Sequence, residues 1–335
     1  MIRTGRISCH SDAVLCLASC ANDTLLVSGG EDHRLCFTDA AGSAPQGSLE
    51  LPGDIPAVAA HPSQQHVLYA ASETSIYCLD LRKALGPEAV CGSVTLNSEE
   101  VNALSLNATG GWLAAGDDAG EVRLVDLAAW RPGPAPARPQ QRTLRRGHAN
   151  LVTAVAFRPR SQWEVVSGGA DCQLVHWDAG RLRQVSSARL QPLENGGGSP
   201  GQMLNPPMVH ALAFLPGDRD RVAVARGDGH VALHRLAPVG KAPRRPPGQA
   251  AAEVGGLAEH PVLLPTWHSA AATSLACLAG PQPVLVSGGN DGRLLVHTPI
   301  PHVVGHGRKL NDLHVAGGRL YVADVSPHLS VYTPS

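Results

Sequence analysis

The chain lacks an excess of charge of either sign and lacks long hydrophobic runs. Its 27 Lys and Arg residues against 28 Asp and Glu residues give a net charge of −1, which indicates no general attraction to nucleic acid or membranes. No run reaches the roughly 18 apolar residues of a membrane span, and His10 and Asp12 interrupt any signal-peptide core. We therefore expect a cytoplasmic or nuclear protein without membrane or direct nucleic-acid partners.

Motifs of known catalytic and cofactor sites are also missing. The sequence contains no G-x-S-x-G, no H-E-x-x-H, no phosphate-binding loop and no dinucleotide fingerprint. The eight cysteines show no C-x-x-C pair and no zinc spacing, and most lie in predicted strands, which favours a reducing compartment. We predict that the chain is not an enzyme, that it uses no cofactor or metal, and that it acts as a monomer with protein partners.

One stretch, residues 147–178, organises the rest of the chain. It reads GHANLVTAVAFRPRSQWEVVSGGADCQLVHWD, with a Gly-His pair at the start and a Trp-Asp pair at the end. Between the pairs lie three short apolar runs separated by turn residues, which is typical of three strands. This pattern resembles one blade of the WD40-repeat family of β-propellers. Because a blade cannot bury its faces alone, one blade implies several.

The resemblance implies a hydrogen-bonded tetrad of His148, Ser167, Asp171 and Trp177. The indole N–H would donate to the Ser hydroxyl, the Ser would reach the imidazole, and the Asp would fix the His tautomer. A buried indole and imidazole need such partners, because an unpaired buried polar group costs about 1–3 kcal/mol. Two further copies keep three members of the set, namely His10, Ser28 and Asp32, and His268, Ser287 and Asp291. We expect these histidines to be structural rather than catalytic.

Alignment on this stretch recovers six more degenerate copies. The seven copies cover residues 10–39, 55–80, 101–126, 147–178, 208–235, 267–298 and 310–333. The position of Trp177 is taken in the other copies by Thr38, Leu79, Val125, His234, His297 and Tyr332. The last copy shows no clean tetrad. We predict an all-β fold with a single domain over residues 1–335, a seven-bladed WD40 β-propeller whose segment 2–8 closes the ring as an outer strand.

Three stretches rich in Pro and Gly lengthen the intervals between copies. They cover residues 131–142, 192–207 and 238–265. Their composition predicts mobile loops between blades rather than domain boundaries. Basic residues in and beside them lack interleaved aromatics for base stacking, so we do not expect nucleic-acid binding there.

Acidic residues form one candidate binding surface. Five of them fall in loops that the resemblance places on the wide top face of the ring, namely Glu31, Glu99, Glu100, Asp117 and Asp118. Carboxylates in that place could hold Lys or Arg side chains of a peptide. The alternative is that Asp117 and Asp118 cap their own turn and that the glutamates are solvated.

The end of the second copy, Leu79-Asp80-Leu81-Arg82, is the other candidate. It resembles the W-D-x-R ending by which a subset of WD40 proteins dock on the damaged-DNA-binding adaptor of cullin-4 ubiquitin ligases. This resemblance makes Leu79, Asp80 and Arg82 the expected adaptor contacts and places Arg82 on the narrow bottom face, where a guanidinium makes directional hydrogen bonds. Leu79 departs from the preferred Trp. A plain salt bridge at the strand end is the alternative.

Stretches outside the generic repeat extend the resemblance. Residues 199–206 (SPGQMLNP) and the ending VADVSPHLSVY are similar to one WD40-family member that is regarded as a candidate substrate receptor of the cullin-4 ligase. The resemblance implies a non-enzymatic protein-interaction scaffold, and more specifically a substrate-receptor subunit of that ligase. The alternative is a peptide-binding or assembly scaffold without a ubiquitin link, which would use the acidic top face.

Overall fold

Seven small sheets make up the computed structural model of the chain. It describes residues 1–334 except 42–43, 97, 129, 131–138, 193–204, 238, 240–256 and 258–260. In these residues, 28 strands form seven four-stranded antiparallel sheets, accompanied by one short 3₁₀ turn at Pro87–Ala89. The chain is a seven-bladed β-propeller, which confirms the predicted fold class. No helix in the described part of the chain is long and apolar enough to cross a membrane.

The strands are numbered in chain order, beginning with β1 (Ile2–Ser8). Blade one contains β2 (Val14–Cys20), β3 (Leu25–Gly30), β4 (Arg34–Asp39) and β5 (Pro45–Glu50). Blade two contains β6 (Ala57–Ala60), β7 (Val67–Ser72), β8 (Ser75–Asp80) and β9 (Val90–Thr95). Blade three contains β10 (Val101–Leu106), β11 (Trp112–Asp117), β12 (Val122–Asp126) and β13 (Gln141–Leu144).

The remaining blades follow the same plan. Blade four contains β14 (Val152–Phe157), β15 (Glu164–Gly169), β16 (Gln173–Asp178) and β17 (Arg183–Arg189). Blade five contains β18 (Val209–Phe214), β19 (Arg221–Arg226), β20 (Val231–Arg235) and β21 (Val262–Leu263). Blade six contains β22 (Ala272–Leu278), β23 (Val284–Gly289), β24 (Arg293–His297) and β25 (His302–Gly305). Blade seven contains β26 (Leu310–Ala316), β27 (Arg319–Asp324) and β28 (His328–Thr333).

Blade seven takes its fourth strand from the other end of the chain. β1 pairs antiparallel with β28, from Ile2 opposite Thr333 to Ser8 opposite His328. The Ser8 hydroxyl also lies 2.9 Å from Nδ1 of His328. This pairing closes the ring through the N-terminal strand, as predicted, and covers the edge that β28 would otherwise expose.

The hydrophobic core consists of layers between neighbouring blades. One layer combines Val27 and Phe37 of blade one with Leu68 and Leu79 of blade two. Another layer places Trp177 of blade four against residues of blade three. Because the side chains of a strand alternate between faces, each sheet supplies two neighbouring layers. The stability of each blade therefore depends on the blades beside it.

Two faces of the ring carry the loops. The top face holds the turns between second and third strands and most connections between blades; there, Leu51 N–H donates to the His33 carbonyl. The bottom face holds the turns between first and second strands and between third and fourth strands; there, Leu81 N–H donates to the His66 carbonyl. Candidate residues on the two faces are therefore at opposite ends of the strands.

Two of the three Pro- and Gly-rich stretches lie within a blade and not, as predicted, between blades. The stretch 131–142 belongs to blade three, because it leads from β12 to β13, and its last two residues are part of β13. The stretch 238–265 likewise leads from β20 to β21 within blade five. Only 192–207 connects two blades. The error arises because these outer strands have four and two residues, too few to show a period-two pattern. The expected loop character of 131–138, 193–204, 240–256 and 258–260 falls outside the described residues.

Candidate functional site

The blade-four residues singled out from the sequence lie within hydrogen-bond distance of one another. His148 places Nε2 2.8 Å from the Ser167 hydroxyl oxygen and Nδ1 3.1 Å from a carboxylate oxygen of Asp171. The Trp177 indole N–H donates to the same Ser167 oxygen at 2.8 Å. Because the Asp171 carboxylate can only accept, Nδ1–H of His148 donates to it, and Nε2 of the neutral ring accepts from the Ser167 hydroxyl. Both ring nitrogens are used, so this histidine has a structural role.

Blades one and six repeat part of this arrangement. The nitrogens of His10 lie 2.8 Å from Ser28 and 2.9 Å from Asp32. In blade six the corresponding pairs are His268 with Ser287 and His268 with Asp291, both at 2.9 Å. His297, at the position of Trp177, lies with Nε2 2.8 Å from the Ser287 oxygen. An imidazole thus takes the place of the indole in blade six.

Blade seven holds a polar set that the sequence reading missed. We expected no clean tetrad there, but His306 contacts the Asp324 carboxylate at 2.6 Å and the Tyr332 hydroxyl at 2.8 Å. His306 lies upstream of the range 310–333 that was assigned to this copy. A signal was present, because Gly305-His306 repeats the Gly-His pair that opens residues 147–178.

Asp117 does not belong to an acidic binding surface. It is buried, and its carboxylate accepts a hydrogen bond from the Glu121 backbone N–H at 2.7 Å. Burial raises the pKa of this carboxyl above its usual value. Asp118 is exposed but accepts from the Asn102 side-chain amide at 2.7 Å. Asp117 therefore holds its own turn together, and Asp118 joins that turn to β10, which corrects the expectation that Asp117 is free to contact a peptide.

The three glutamates are exposed on the top face, in two places. Glu31 follows β3 in blade one, whereas Glu99 and Glu100 precede β10 in blade three. Partial burial raises the pKa of Glu31, and the nearby carboxylates of Asp12 and Asp54 raise it further. The sequence reading had not selected those two aspartates. The top face therefore presents two acidic groups, one around Glu31 and one at Glu99 and Glu100.

Asp80 and Arg82 form a closed ion pair on the bottom face of blade two. One Asp80 oxygen accepts from the Arg82 backbone N–H at 3.1 Å and from Nε at 2.9 Å, and the other accepts from Nη2 at 2.6 Å. These hydrogen bonds lower the pKa of Asp80 to about 2. The Asp80 side chain is 7% exposed, whereas that of Arg82 is 64% exposed. A buried carboxylate thus orients an accessible guanidinium.

The Leu79 side chain is not accessible for the adaptor contact expected of it. It is completely buried and packs in the layer between blades one and two. The position of the missing Trp is therefore a core position in this blade. Leu79 supports β8, the strand that ends with Asp80.

A cleft of about 450 Å³ lies beside Arg82, between blades two and three. Its lining includes His61, His66, Tyr69 and Trp130. The Tyr69 and Trp130 rings have centroids 5.5 Å apart. The sequence reading found none of these neighbours, since they come from two blades. Arg82 therefore lies at the edge of a cleft with aromatic and imidazole groups.

Blade four presents a second Asp–Arg pair on the bottom face. Asp178, at the end of β16, lies 3.2 Å from Nη1 of Arg181 and 3.5 Å from Nε of Arg183. Arg181 is 67% exposed, close to the exposure of Arg82. The sequence reading missed this pair because Arg181 stands three residues after the aspartate rather than two. It supplies a matched control for Arg82.

Seven four-stranded sheets joined in a closed ring define a seven-bladed β-propeller. The family model of the WD domain, G-beta repeat, matches residues 2–39 and 138–178. The chain thus contains WD40 repeats within a seven-bladed propeller, as the resemblance implied. Propellers of this class are in general non-enzymatic scaffolds for protein interactions, and this chain fits that role.

Curated relatives agree with this class. The chain is 26% identical over 246 residues to the WD repeat-containing protein 53 homolog of Dictyostelium discoideum, a match that covers 68% of this chain and 63% of the relative. It is 30% identical over 143 residues to the ribosome biogenesis protein YTM1 of Pyricularia oryzae, covering 42% of this chain and 27% of the relative. It is 26% identical over 177 residues to a 77 kDa echinoderm microtubule-associated protein of Strongylocentrotus purpuratus, covering 52% and 22%. The chain spans less than two thirds of the length of each.

Proposed function

We propose that this chain is a substrate-receptor subunit of a cullin-4 ubiquitin ligase and docks on the ligase adaptor through the bottom face of blade two. The observation that carries the proposal is the exposed Arg82 guanidinium held by the buried Asp80 carboxylate. Two hydrogen bonds to Asp80 fix the plane of the guanidinium, so little rotamer entropy is left to lose when a partner binds. Nη1 can then donate to an acceptor on the adaptor.

The surroundings of Arg82 fit a docking site. Arginine is among the residues that most often dominate protein interfaces, and Tyr69 and Trp130, which are 3% and 2% exposed, form the buried wall of the cleft beside Arg82. A partner side chain that enters this cleft would bury apolar surface next to a charge-assisted hydrogen bond. The similarity of 79–82 to the W-D-x-R ending gives the proposal its particular partner.

The positions of these residues also suggest separate binding roles for the two faces of the ring. Arg82 lies on the bottom face, while Glu31 and Glu99 lie on the top face at the opposite end of the strands. A scaffold attached by its bottom face leaves the top face free for a second protein. In this proposal the top face presents the substrate.

The test is binding of the purified chain to the purified adaptor. Arg82→Ala should weaken binding by about tenfold or more, as expected for a central arginine of an interface, with an unchanged melting temperature. Arg181→Ala is the matched control, since it removes an equally exposed arginine from a strand-end aspartate on the same face. The proposal fails if both variants bind like the original chain, or if both lose the same affinity.

A second candidate function is recognition of a basic peptide on the top face. It is favoured by the gathering of Asp12 and Asp54 around Glu31, whose raised pKa reflects burial and the nearby negative charge. A Lys or Arg side chain would relieve this repulsion. Glu31→Lys should abolish capture of a Lys- or Arg-containing peptide, and the double change Glu99→Lys and Glu100→Lys tests the other acidic group. Adaptor binding should remain in both variants, which separates the two functions.

A further inference from the structure

Blade one carries thiols where blade four carries an indole. In blade four, Gly147 precedes the tetrad histidine, and a Cβ atom there would lie 2.2 Å from Cζ2 of Trp177. The indole therefore requires glycine at this position. Blade one has changed both positions, to Cys9 and Thr38. The Sγ atom of Cys9 lies 3.7 Å from the Ser28 hydroxyl, the group whose blade-four counterpart accepts from the indole.

A second thiol, that of Cys36, lies close to Cys9 and His10 in blade one. Cys36 pairs with Ser28 across β3 and β4, as Val175 pairs with Ser167 in blade four. Its Sγ atom lies 2.8 Å from the Cys9 carbonyl and 3.8 Å from Nδ1 of His10. One ligand atom each from Cys9, His10 and Cys36 lies within 4.8 Å of the other two. Two sulfurs and an imidazole nitrogen thus converge although the cysteines are 27 positions apart.

The serine beside the histidine also differs in its partners between the two blades. In blade four, the Ser167 oxygen accepts from the Trp177 indole and lies 2.8 Å from Nε2 of His148, while Nδ1–H of His148 donates to Asp171. In the described part of blade one no indole donates to Ser28, whose oxygen can accept from Nε2–H of His10. Without a metal, Nδ1 of His10 carries a proton and donates it to Asp32; an ion bound at Nδ1 would replace that proton and leave the ring proton on Nε2. Nδ1 faces Cys36 and is a competent metal ligand.

We propose that Cys9, His10 and Cys36 form a binding site for Zn²⁺. Thiolate and imidazole are the ligands that Zn²⁺ prefers, at about 2.3 Å and about 2.0–2.1 Å, and the three donor atoms lie within 4.8 Å of one another before any ion is bound. A solvent molecule would complete the four ligands that Zn²⁺ takes. Binding releases one proton from each thiol to the solvent and forms two Zn–S bonds. Cys9 is partly exposed, which gives the ion a path of entry.

The position of the site suggests what the ion would do. Cys9 directly follows β1, the strand that closes the ring, and Cys36 lies in β4 of blade one. A metal bond between them ties the closing strand to the first blade. The bound chain should therefore resist unfolding better than the metal-free chain, because an ion that binds only the folded state stabilises that state.

The experiment uses the full chain, purified under reducing conditions and freed of metal with a chelator. Zn²⁺ titration against a chromophoric chelator should show one ion per chain, and Co²⁺ should give the absorption of a tetrahedral thiolate site. Cys9→Gly and Cys36→Val install the residues of blade four. Each should weaken Zn²⁺ binding by more than about tenfold and remove the Co²⁺ spectrum.

Cys172→Ser is the control, since Cys172 is also a partly exposed cysteine beside a tetrad. This variant should bind Zn²⁺ and Co²⁺ like the original chain. The proposal is overturned if the original chain binds neither ion, if all three variants bind alike, or if Cys9 and Cys36 form a disulfide under reducing conditions, as judged by thiol counting. If a blade-one variant unfolds, Co²⁺ binding to the variant that remains folded decides the question.

Discussion

Blade four and blade one share the same histidine, serine and aspartate in nearly the same geometry, yet they differ at the two positions that surround this set. Blade four has Gly147 and Trp177, whereas blade one has Cys9 and Thr38. The indole in blade four is 2% exposed and donates to Ser167. In blade one the Thr38 hydroxyl is buried and has no hydrogen-bond partner among the described residues. The serine–histidine–aspartate core therefore forms without the indole.

The difference shows that two positions of the repeat change together. A glycine before the histidine leaves room for the indole ring, and loss of the ring leaves room for a side chain in place of the glycine. In blade four, the histidine, serine, aspartate and tryptophan are all hydrogen-bonded within the set. Blade one keeps the histidine, serine and aspartate and also carries the Thr38 hydroxyl and the thiols of Cys9 and Cys36. Blades that depart from the repeat are thus the places where further functions are to be expected.

The largest effect should come from Trp177→Ala. The change removes a buried ring from the layer between blades three and four and takes the indole donor from Ser167. Large-to-small changes of this kind cost about 3–5 kcal/mol. Urea unfolding measures the loss. The control Trp267→Ala removes a ring that is 42% exposed and should cost far less; equal losses would contradict the assigned role of the indole.

Exchange of the paired glycine tests the comparison directly. Gly147→Cys puts a side chain against the Trp177 ring, and overpacking of this kind costs about 1–3 kcal/mol. The reverse change in blade one, Cys9→Gly, meets no such ring and should cost less in the metal-free chain. Thermal unfolding of both variants measures the contrast. If Gly147→Cys is tolerated as well as Cys9→Gly, the two positions are not coupled.

The sequence was sufficient to predict the ring but not its details. Gly-His and Trp-Asp pairs at residues 147–178 set the register for the other copies, and the structure pairs His297 with Leu285 just as it pairs Trp177 with Val165. The outer strands β13 and β21 were missed because short strands lack a pattern. The burial of Leu79 and Asp117 depends on packing between elements. The contact of Cys9 with Cys36 arises from sheet pairing, which spacing along the chain does not reveal.

In blade five the position equivalent to Trp177 is occupied by a histidine, His234, that makes no hydrogen bond among the described residues. His234 is 1% exposed, and neither ring nitrogen has a partner among the described residues. Val224 occupies the position of the tetrad serine, so the imidazole has no hydroxyl to contact. His234→Leu should stabilise the chain by about 1–2 kcal/mol, because it removes buried polar groups without hydrogen bonds.

Blade six supplies the matched control for this change. His297 occupies the same position, but its Nε2 lies 2.8 Å from Ser287. His297→Leu should therefore destabilise the chain by roughly 1 kcal/mol, the value of a typical hydrogen bond. Chemical denaturation of the two variants measures opposite signs. A loss of stability in both would show that His234 packs better than its polar contacts indicate.

The smallest expected effect is the pH dependence of the His234→Leu variant. Burial lowers the pKa of His234 to about 4, against an ordinary value of 6.5. Between these values the unfolded chain binds a proton that the folded chain does not, so the unfolding free energy falls as the pH is lowered through this window. Leucine removes this loss, and the advantage of the variant should grow by roughly 1 kcal/mol between pH 7 and 5.5. His297 and His314 also have a pKa lowered to about 4, but both are present in the original chain and in the variant, so their contributions cancel. An advantage that stays constant over this range would mean that His234 is as accessible to protons in the folded chain as in the unfolded one.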